Sequence, residues 1–389
     1  MTETRLRIGF IPLCDAAALL VAVDKGFAAA EGLDIELIRE VSWSNVRDKL
    51  NIGLFDAAHL LAPVAIASSL GLGHIKVPIV APFGLGVNGN AITVSPQLHA
   101  EIIEVADGRV PLDPLMSARA LARVVEKRNR TGAEPLTLGM TFPFSTHNYQ
   151  LRFWMAAGGI DPDEDVRLVV LPPPYMVESL TSGQVDAFCV GAPWNSVAVD
   201  LGVGCILHFS CEILAHAAEK VLALRAHWAE ENPDTVTKLL RALDRSAAFI
   251  EDPANRGEAA ALLSTPHRIG VAADVIERTL EGRLKVAPDG SVRTDKRYLL
   301  IGRNGAARPD PVQAAWLYAQ MVRWGQAPLS KELLAAAKGV FQPDLFDAAL
   351  QRNVANATAP ADSIGAFAGP AFDAEDITGH LNFWAIKPR

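Results

Sequence analysis

Cysteine is scarce in these 389 residues. There are four, Cys14, Cys189, Cys205 and Cys211, and no two form a C-x-x-C pair, so the dithiol and zinc-ribbon classes are excluded. In a reducing compartment, scattered thiols serve as small buried hydrophobes. Cys205-x-x-His208-x-x-Cys211 has the outline of a metal site. Cys205–Phe209 reads as a strand, however, and period-two alternation turns His208 away from both cysteines, so no metal is expected there. Long apolar runs are missing as well. The richest, residues 57–72, is broken by His59, Pro63 and a Ser pair, which fits a buried strand and helix and no bilayer span. The formal net charge is −8 and no Lys/Arg run is long enough to make a nucleic-acid footprint, the basic outer face of residues 117–129 being read as a solvated surface, so direct binding of nucleic acid is not expected. The opening Met1–Arg7 runs straight into the strand-like Ile8–Pro12 without an apolar h-region or cleavage site, and the expectation is a cytoplasmic protein.

Catalytic templates are equally absent. G-x-S-x-G, H-E-x-x-H and P-loop patterns do not occur, and the carboxylates Asp163-Glu164-Asp165 fall in a turn. Gly84-x-Gly86-x-x-Gly89 matches the dinucleotide fingerprint letter for letter. It runs into Ala91–Val94, a strand pattern where that motif requires a helix, and is rejected. No catalytic residue and no cofactor is expected.

What the chain does have is a repeat. Leu50-Asn51-Ile52-Gly53-Leu54-Phe55-Asp56-Ala57 ends at Ala62-Pro63, and Leu180-Thr181-Ser182-Gly183-Gln184-Val185-Asp186-Ala187 ends at Ala192-Pro193. Leu, Gly, Asp, Ala, Ala and Pro recur at one offset of 130 (180 − 50, 193 − 63). Each copy reads as a helix stopped by Gly, then a short apolar strand and a loop. Copies this far apart imply two similar α/β lobes facing across a cleft. The opening strand–helix–strand pattern, Arg5–Pro12, Ala16–Ala30 and Leu33–Arg39, implies a parallel sheet. The glycines of 84–89 are read as a turn at the first crossing between lobes, and Val221–Leu224 as the return. The expected division is 1–89 with 225–389 for the first lobe, ending in a helical part, and 90–224 for the second. Residues 287–309 are expected to wrap over the first lobe, and 365–389 to form a terminal arm.

Four residues attract attention on local chemistry. Ser145 and Thr146 are N-cap types, which places His147 in the first turn of a helix, where free N–H groups and partial positive charge suit an anion. Gly191 ends an apolar strand, at the edge where ligands meet open α/β sheets and a glycine lets them approach the backbone. Lys220 precedes the return strand and brings a full charge to the crossing. Trp43, in a post-strand loop of the first lobe, is placed to roof a pocket.

Longer motifs carry a family resemblance. Thr146-His147-Asn148-x-x-Leu151-Arg152-Phe153-Trp154, Ala157-Gly158-Gly159-Ile160-Asp161-Pro162 and Pro172-Pro173-Pro174 resemble the nitrate- and bicarbonate-binding solute-binding proteins. So do Gly183-x-x-Asp186-Ala187-Phe188-Cys189-Val190-Gly191-x-Pro193-Trp194-Asn195, Glu219-Lys220-Val221 and Met321–Gln326. The resemblance implies a type II periplasmic-binding-protein fold with the ligand between two α/β lobes. It implies ligand-binding roles for Trp43, His147, Gly191 and Lys220, and for Asn90 where the family has Gln. Ala192 departs from the family, which carries an acid there.

The absence of an export signal is similar to the cytoplasmic nitrate/nitrite sensors of bacterial nitrate assimilation. What that implies as partner is an ANTAR-class RNA-binding antiterminator, released when nitrate binds. The alternatives are the binding component of a nitrate or bicarbonate ABC transporter, and a pyrimidine-synthesis enzyme of the thiamine pathway on the same fold, whose cysteine-rich motif is missing. On this reading the pocket offers donors only, which suits nitrate or nitrite better than bicarbonate. Protonated His147 would strengthen binding, so affinity would weaken as pH rises through its pKa.

Overall fold

The first strand and its glycine illustrate how the sequence becomes a sheet. Thr4–Phe10 buries Leu6 and Ile8 while Arg5 and Arg7 face outward. A Cβ on Gly9 would collide with the Phe55 ring, so only glycine lets that phenylalanine pack onto the strand. In this computed structural model, which describes residues 4–352 and 364–386, the strand lies between Leu33–Arg39 and Ala57–Leu61, parallel to both. Ala218–Arg225 and then Ile79–Asn88 continue the sheet antiparallel, and Leu299–Leu300 closes its edge. A second, five-stranded sheet runs Arg167–Val170, Thr137–Met140, Ala187–Gly191, Asn90–Val94, Cys205–Phe209. Its pairings are again parallel, parallel, antiparallel and antiparallel.

The repeat marks equivalent parts of the two sheets. Helix Trp43–Asn51, Gly53 at φ 80° and strand Ala57–Leu61 match helix Met176–Thr181, Gly183 at φ 70° and strand Ala187–Gly191. Each repeated Asp has one structural task. Asp56 Oδ2 accepts from the Arg7 N–H at 2.8 Å, and Asp186 Oδ2 accepts from the Thr137 N–H at 2.8 Å. Each Asp also donates its own N–H to the carbonyl of that same partner. A carboxylate here fastens the repeat's strand in each lobe to the parallel strand beside it.

Three sequence expectations change. Residues 84–89 are not a turn: Ile79–Asn88 is one strand, and the chain crosses to the second sheet at Gly89, φ 89°. The glycines are there for close packing, since a Cβ on Gly86 would lie 2.7 Å from Asp15 Cβ and one on Gly84 2.5 Å from the Ala306 carbonyl oxygen. Ala218–Arg225 belongs to the six-stranded sheet, so the return comes before the 224/225 boundary. Its apolar pattern looks the same whichever sheet receives it; the antiparallel pairing with Ala57–Leu61 decides. Residues 287–309 touch both lobes. Leu299–Leu300 joins the first sheet, while Val292–Thr294 pairs with Arg283–Lys285 beside the second, where Arg293 Nη1 donates to the Leu207 carbonyl at 3.1 Å.

Helices of the C-terminal part cover the first lobe. Pro233–Glu251 packs on Ala17–Asp24 and Pro343–Leu350, and buries Leu239, Leu240 and Leu243. Part of the terminal arm, residues 387–389, lies outside the described residues. No helix among the described residues is long and apolar enough to cross a membrane.

Candidate functional site

Sheet register brings the site together. Asn90 pairs with Gly191 in the second sheet, and Lys220 pairs with Leu61 in the first. Leu61 and Gly191 are equivalent in the repeat (191 − 61 = 130), so their pairing partners, Lys220 in the first lobe and Asn90 in the second, occupy corresponding positions. The two lobes thus present corresponding positions to each other, one with an ammonium and one with an amide.

Between them lies a sealed polar cluster. Lys220 is fully buried and bridges two carboxylates, with Nζ 2.9 Å from Asp15 Oδ2 and 2.8 Å from Glu219 Oε1. Asp15 Oδ1 lies 2.9 Å from His59 Nε2, and the Ile11 N–H faces His59 Nδ1 at 3.4 Å. A neutral His59 with its proton on Nε2 satisfies both contacts. Glu219 Oε2 accepts from Asn90 Nδ2 at 2.7 Å, and the same amide reaches Gln150 Oε1 at 3.2 Å. His147 Nδ1 sits 3.0 Å from Thr141 Oγ1 and 3.3 Å from Glu219 Oε1. The Trp43 ring lies 5.3 Å from Lys220 Nζ and 5.4 Å from the His59 ring, a cation–π roof on the first-lobe side.

Local sequence positions these groups. The Ser145 hydroxyl accepts from the Asn148 N–H at 3.1 Å and starts helix Thr146–Ala157 with His147 in its first turn. Gln150 follows three residues later, on the same face. Ser42 caps helix Trp43–Asn51 in the same way and sets Trp43 as its first residue. Gly191 supplies space: a Cβ there would stand 3.5 Å from Asn90 Oδ1 and 3.6 Å from Asp15 Oδ2, between the two lobes' polar groups.

Burial governs the charges. It pulls the Lys220 pKa down, but Asp15 and Glu219 outweigh it and hold the ammonium above its usual value. Burial opposes ionisation of Asp15 too, yet the Lys220 charge and the His59 hydrogen bond keep its pKa well below the carboxylate range. For Glu219, burial prevails over Lys220 and raises the pKa. Burial, reinforced by Lys220, drives His147 well below the usual histidine value, and burial lowers His59 in spite of Asp15.

All five expected residues, Trp43, Asn90, His147, Gly191 and Lys220, therefore meet in one cluster. Two expectations about its chemistry are corrected. The lining is not donors only, because Asp15 and Glu219 stand within it. Nor is His147 a cation at neutral pH, because a desolvated imidazole beside an ammonium stays neutral. Asp15, His59, Glu219, Gln150 and Thr141 escaped the sequence reading. The available signal was a charged or polar residue inside an apolar run, as in Leu13-Cys14-Asp15-Ala16 and Ala58-His59-Leu60. His208 is engaged elsewhere, 2.6 Å from Ser117 Oγ and 3.2 Å from Glu212. No cluster of three or more His, Cys, Asp or Glu able to hold a metal occurs among the described residues.

Four buried atoms of the cluster have no hydrogen-bond partner among the described residues: Trp43 Nε1, Gln150 Nε2, His147 Nε2 and Asn90 Oδ1. Such atoms cost free energy unless something meets them, about 1–3 kcal/mol each, and their convergence around a lysine describes a site for a small polar ligand. Two α/β lobes closing on such a site define the solute-binding class of proteins.

This chain belongs to the NMT1-like family, whose model matches residues 1–264. It is 30% identical to the nitrate/nitrite binding protein NrtA of Synechococcus elongatus, covering 98% of this chain and 86% of that one. With NrtA of a Nostoc species the identity is 33%, over 99% and 86%. It also matches the nitrate import ATP-binding protein NrtC of Synechocystis at 31% identity, spanning about half of that protein (56%). The crystal structure of periplasmic nitrate-binding NrtA from Synechocystis superposes with a TM-score of 0.87 at 28% identity, covering 99% of both chains. The fold extends to the periplasmic aliphatic sulphonate binding protein SsuA of Escherichia coli, TM-score 0.57 at 15% identity.

Proposed function

We propose that this chain binds nitrate or nitrite between its two lobes, held by Trp43, Asn90, His147, Gly191 and Lys220, with Gln150 as a further contact. The observation that carries the reading is the set of sealed, unpartnered polar atoms around the Lys220 ammonium. A planar monovalent anion fits it: Lys220 supplies the charge, while Trp43 Nε1 and Gln150 Nε2 offer N–H donors to its oxygens. Each of these residues is at most 1% exposed, so entry and release require the lobes to part, and the closed form is the one that holds the ligand. The relatives' names support a binder and no catalytic step is proposed.

The finer reading is a cytoplasmic sensor that holds an ANTAR-class antiterminator and releases it when nitrate closes the lobes; the motifs around His147 and Gly191 are common to both readings, and the departure at Ala192 from the family's acid supports the sensor. The second reading, the binding component of an ABC transporter, is favoured by the names of the relatives. Calorimetric titration with nitrate, nitrite and bicarbonate tests the common core. Saturable nitrate binding is expected, weakened about ten- to hundredfold in His147→Ala, the worth of one hydrogen bond to a charged partner. A protein that takes none of the three anions would sink the reading. A complex with the antiterminator that survives saturating nitrate would remove the sensor and leave the transporter component.

A further inference from the structure

The charges sealed in the cleft do not balance once an anion joins them. Asp15 and Glu219 are two carboxyls beside one ammonium, Lys220, and all three are buried. With both carboxyls ionised and both histidines neutral, a bound monovalent anion would leave two uncompensated negative charges among fully buried groups. That cost is met in proteins by taking up a proton.

Geometry indicates where the proton goes. Asp15 is engaged by Lys220 Nζ and His59 Nε2, two donors that favour its ionised form. Glu219 Oε1 accepts from Lys220 and lies 3.3 Å from His147 Nδ1, while its Oε2 accepts from Asn90. The Thr141 hydroxyl, 3.0 Å from Nδ1, can donate to it or accept from it and so fixes neither tautomer, whereas an ionised Glu219 would accept a proton-bearing Nδ1, leaving His147 Nε2 as a lone pair. A protonated Glu219 can donate from Oε1 to Nδ1, which obliges the neutral ring to carry its proton on Nε2, the nitrogen with no partner among the described residues.

Resting on the reading of this cleft as an anion site, we propose that Glu219 is its specificity-determining residue. As a carboxylic acid it sets the His147 tautomer that an acceptor-only anion requires, and one proton enters with each anion. The groups facing Glu219 are consistent with this. Lys220 is its neighbour on the strand, Asn90 and His147 approach from the second lobe, the Asp15 charge further raises the Glu219 pKa, and Glu219 in turn acts on His59. The nearby Cys189 thiol is kept neutral by burial and by Glu219 itself. Burial raises the Glu219 pKa in spite of Lys220, which favours the acid form. A ligand with its own O–H, such as bicarbonate, would suit the ionised form, so Glu219 also divides the two anion types.

The test is calorimetric titration of the full chain with nitrate, at several pH values and in buffers of different ionisation enthalpy. Uptake approaching one proton per nitrate is expected, with affinity falling about tenfold per pH unit on the alkaline side. Glu219→Gln, whose amide always offers N–H to His147, should bind nitrate without proton uptake and with flat pH dependence. In the wild-type complex, ¹⁵N shifts should show His147 as the Nε2–H tautomer. No proton uptake by the wild type overturns the proposal, even should the variant fail to fold. So does undiminished uptake in Glu219→Gln, or the Nδ1–H tautomer. Failure of the wild type to bind nitrate at any pH removes the anion reading itself, and the proposal with it.

Discussion

The two lobes are built on one plan and divide the chemistry unequally. At equivalent positions of the repeat, the first lobe has Asp15 and His59 where the second has Ser145 and Cys189, and Lys220 where the second has Asn90. The first lobe thus carries the cluster's charges, Asp15, Glu219 and Lys220. The second contributes neutral groups: the Asn90 and Gln150 amides, a neutral His147 and the space at Gly191. Residues that set the fold, Leu, Gly, Asp and Pro, stayed alike in both copies. Residues facing the cleft diverged. One lobe is then organised to hold charge and the other to read shape and hydrogen bonds, a division that a symmetric pair of lobes could not offer an asymmetric set of contacts.

The largest test of this contrast sets Lys220→Met against Asn90→Ala. Removing the ammonium strands two buried carboxylates, and should cost about 3–5 kcal/mol of stability and abolish nitrate binding. Removing the Asn90 amide takes one hydrogen bond from Glu219 and should cost about 1.5–3 kcal/mol. Denaturant unfolding that ranks them equal would break the asymmetry. Next come the repeated aspartates. Asp56→Ala and Asp186→Ala each remove a carboxylate–amide bond of the same geometry, so each should lose about 1–3 kcal/mol, alike in both lobes. Unequal losses would show that the repeat conserves pattern without conserving load.

Smaller effects sharpen the picture at the roof and the floor. Trp43→Phe keeps a ring over Lys220 and deletes the indole N–H, so nitrate affinity should fall about fivefold, roughly 1 kcal/mol, and the smaller ring should also lower stability through the space it leaves in the core. Gly191→Ala places a methyl at ordinary contact distance from Asn90 and Asp15. It should change stability by no more than about 0.5 kcal/mol while weakening the titrated nitrate affinity. Loss of stability with affinity intact would mean that Gly191 serves the turn and not the ligand.

Much of this molecule was legible in its residues. The Leu50 and Leu180 repeats marked two lobes because helix stop, strand and anchoring Asp are local requirements, satisfied within a few residues. Ser145 announced the helix that carries His147 for the same reason. Trp43, Gly191 and Lys220 stood out because a loop tryptophan, a strand-end glycine and a lysine at a crossing are unusual in place as well as in type. What stayed hidden depended on distance. Asp15 and His59 are 44 residues apart and 2.9 Å away, and neither has meaning without the other. The Gly84–Gly89 run looked like a turn because nothing local shows that Asp15 and Ala306 crowd it.

The sequence by itself determined the elements, the two-lobe plan and the residue types at the cleft, since helix caps, strand periods and turn glycines act over short range. Only the tertiary structure decided the protonation states and the sign of the pocket. Those follow from burial and from charges that meet across the lobes: Lys220 held charged by two carboxylates, His147 kept neutral, Glu219 raised. Desolvation has no value until the fold removes the water.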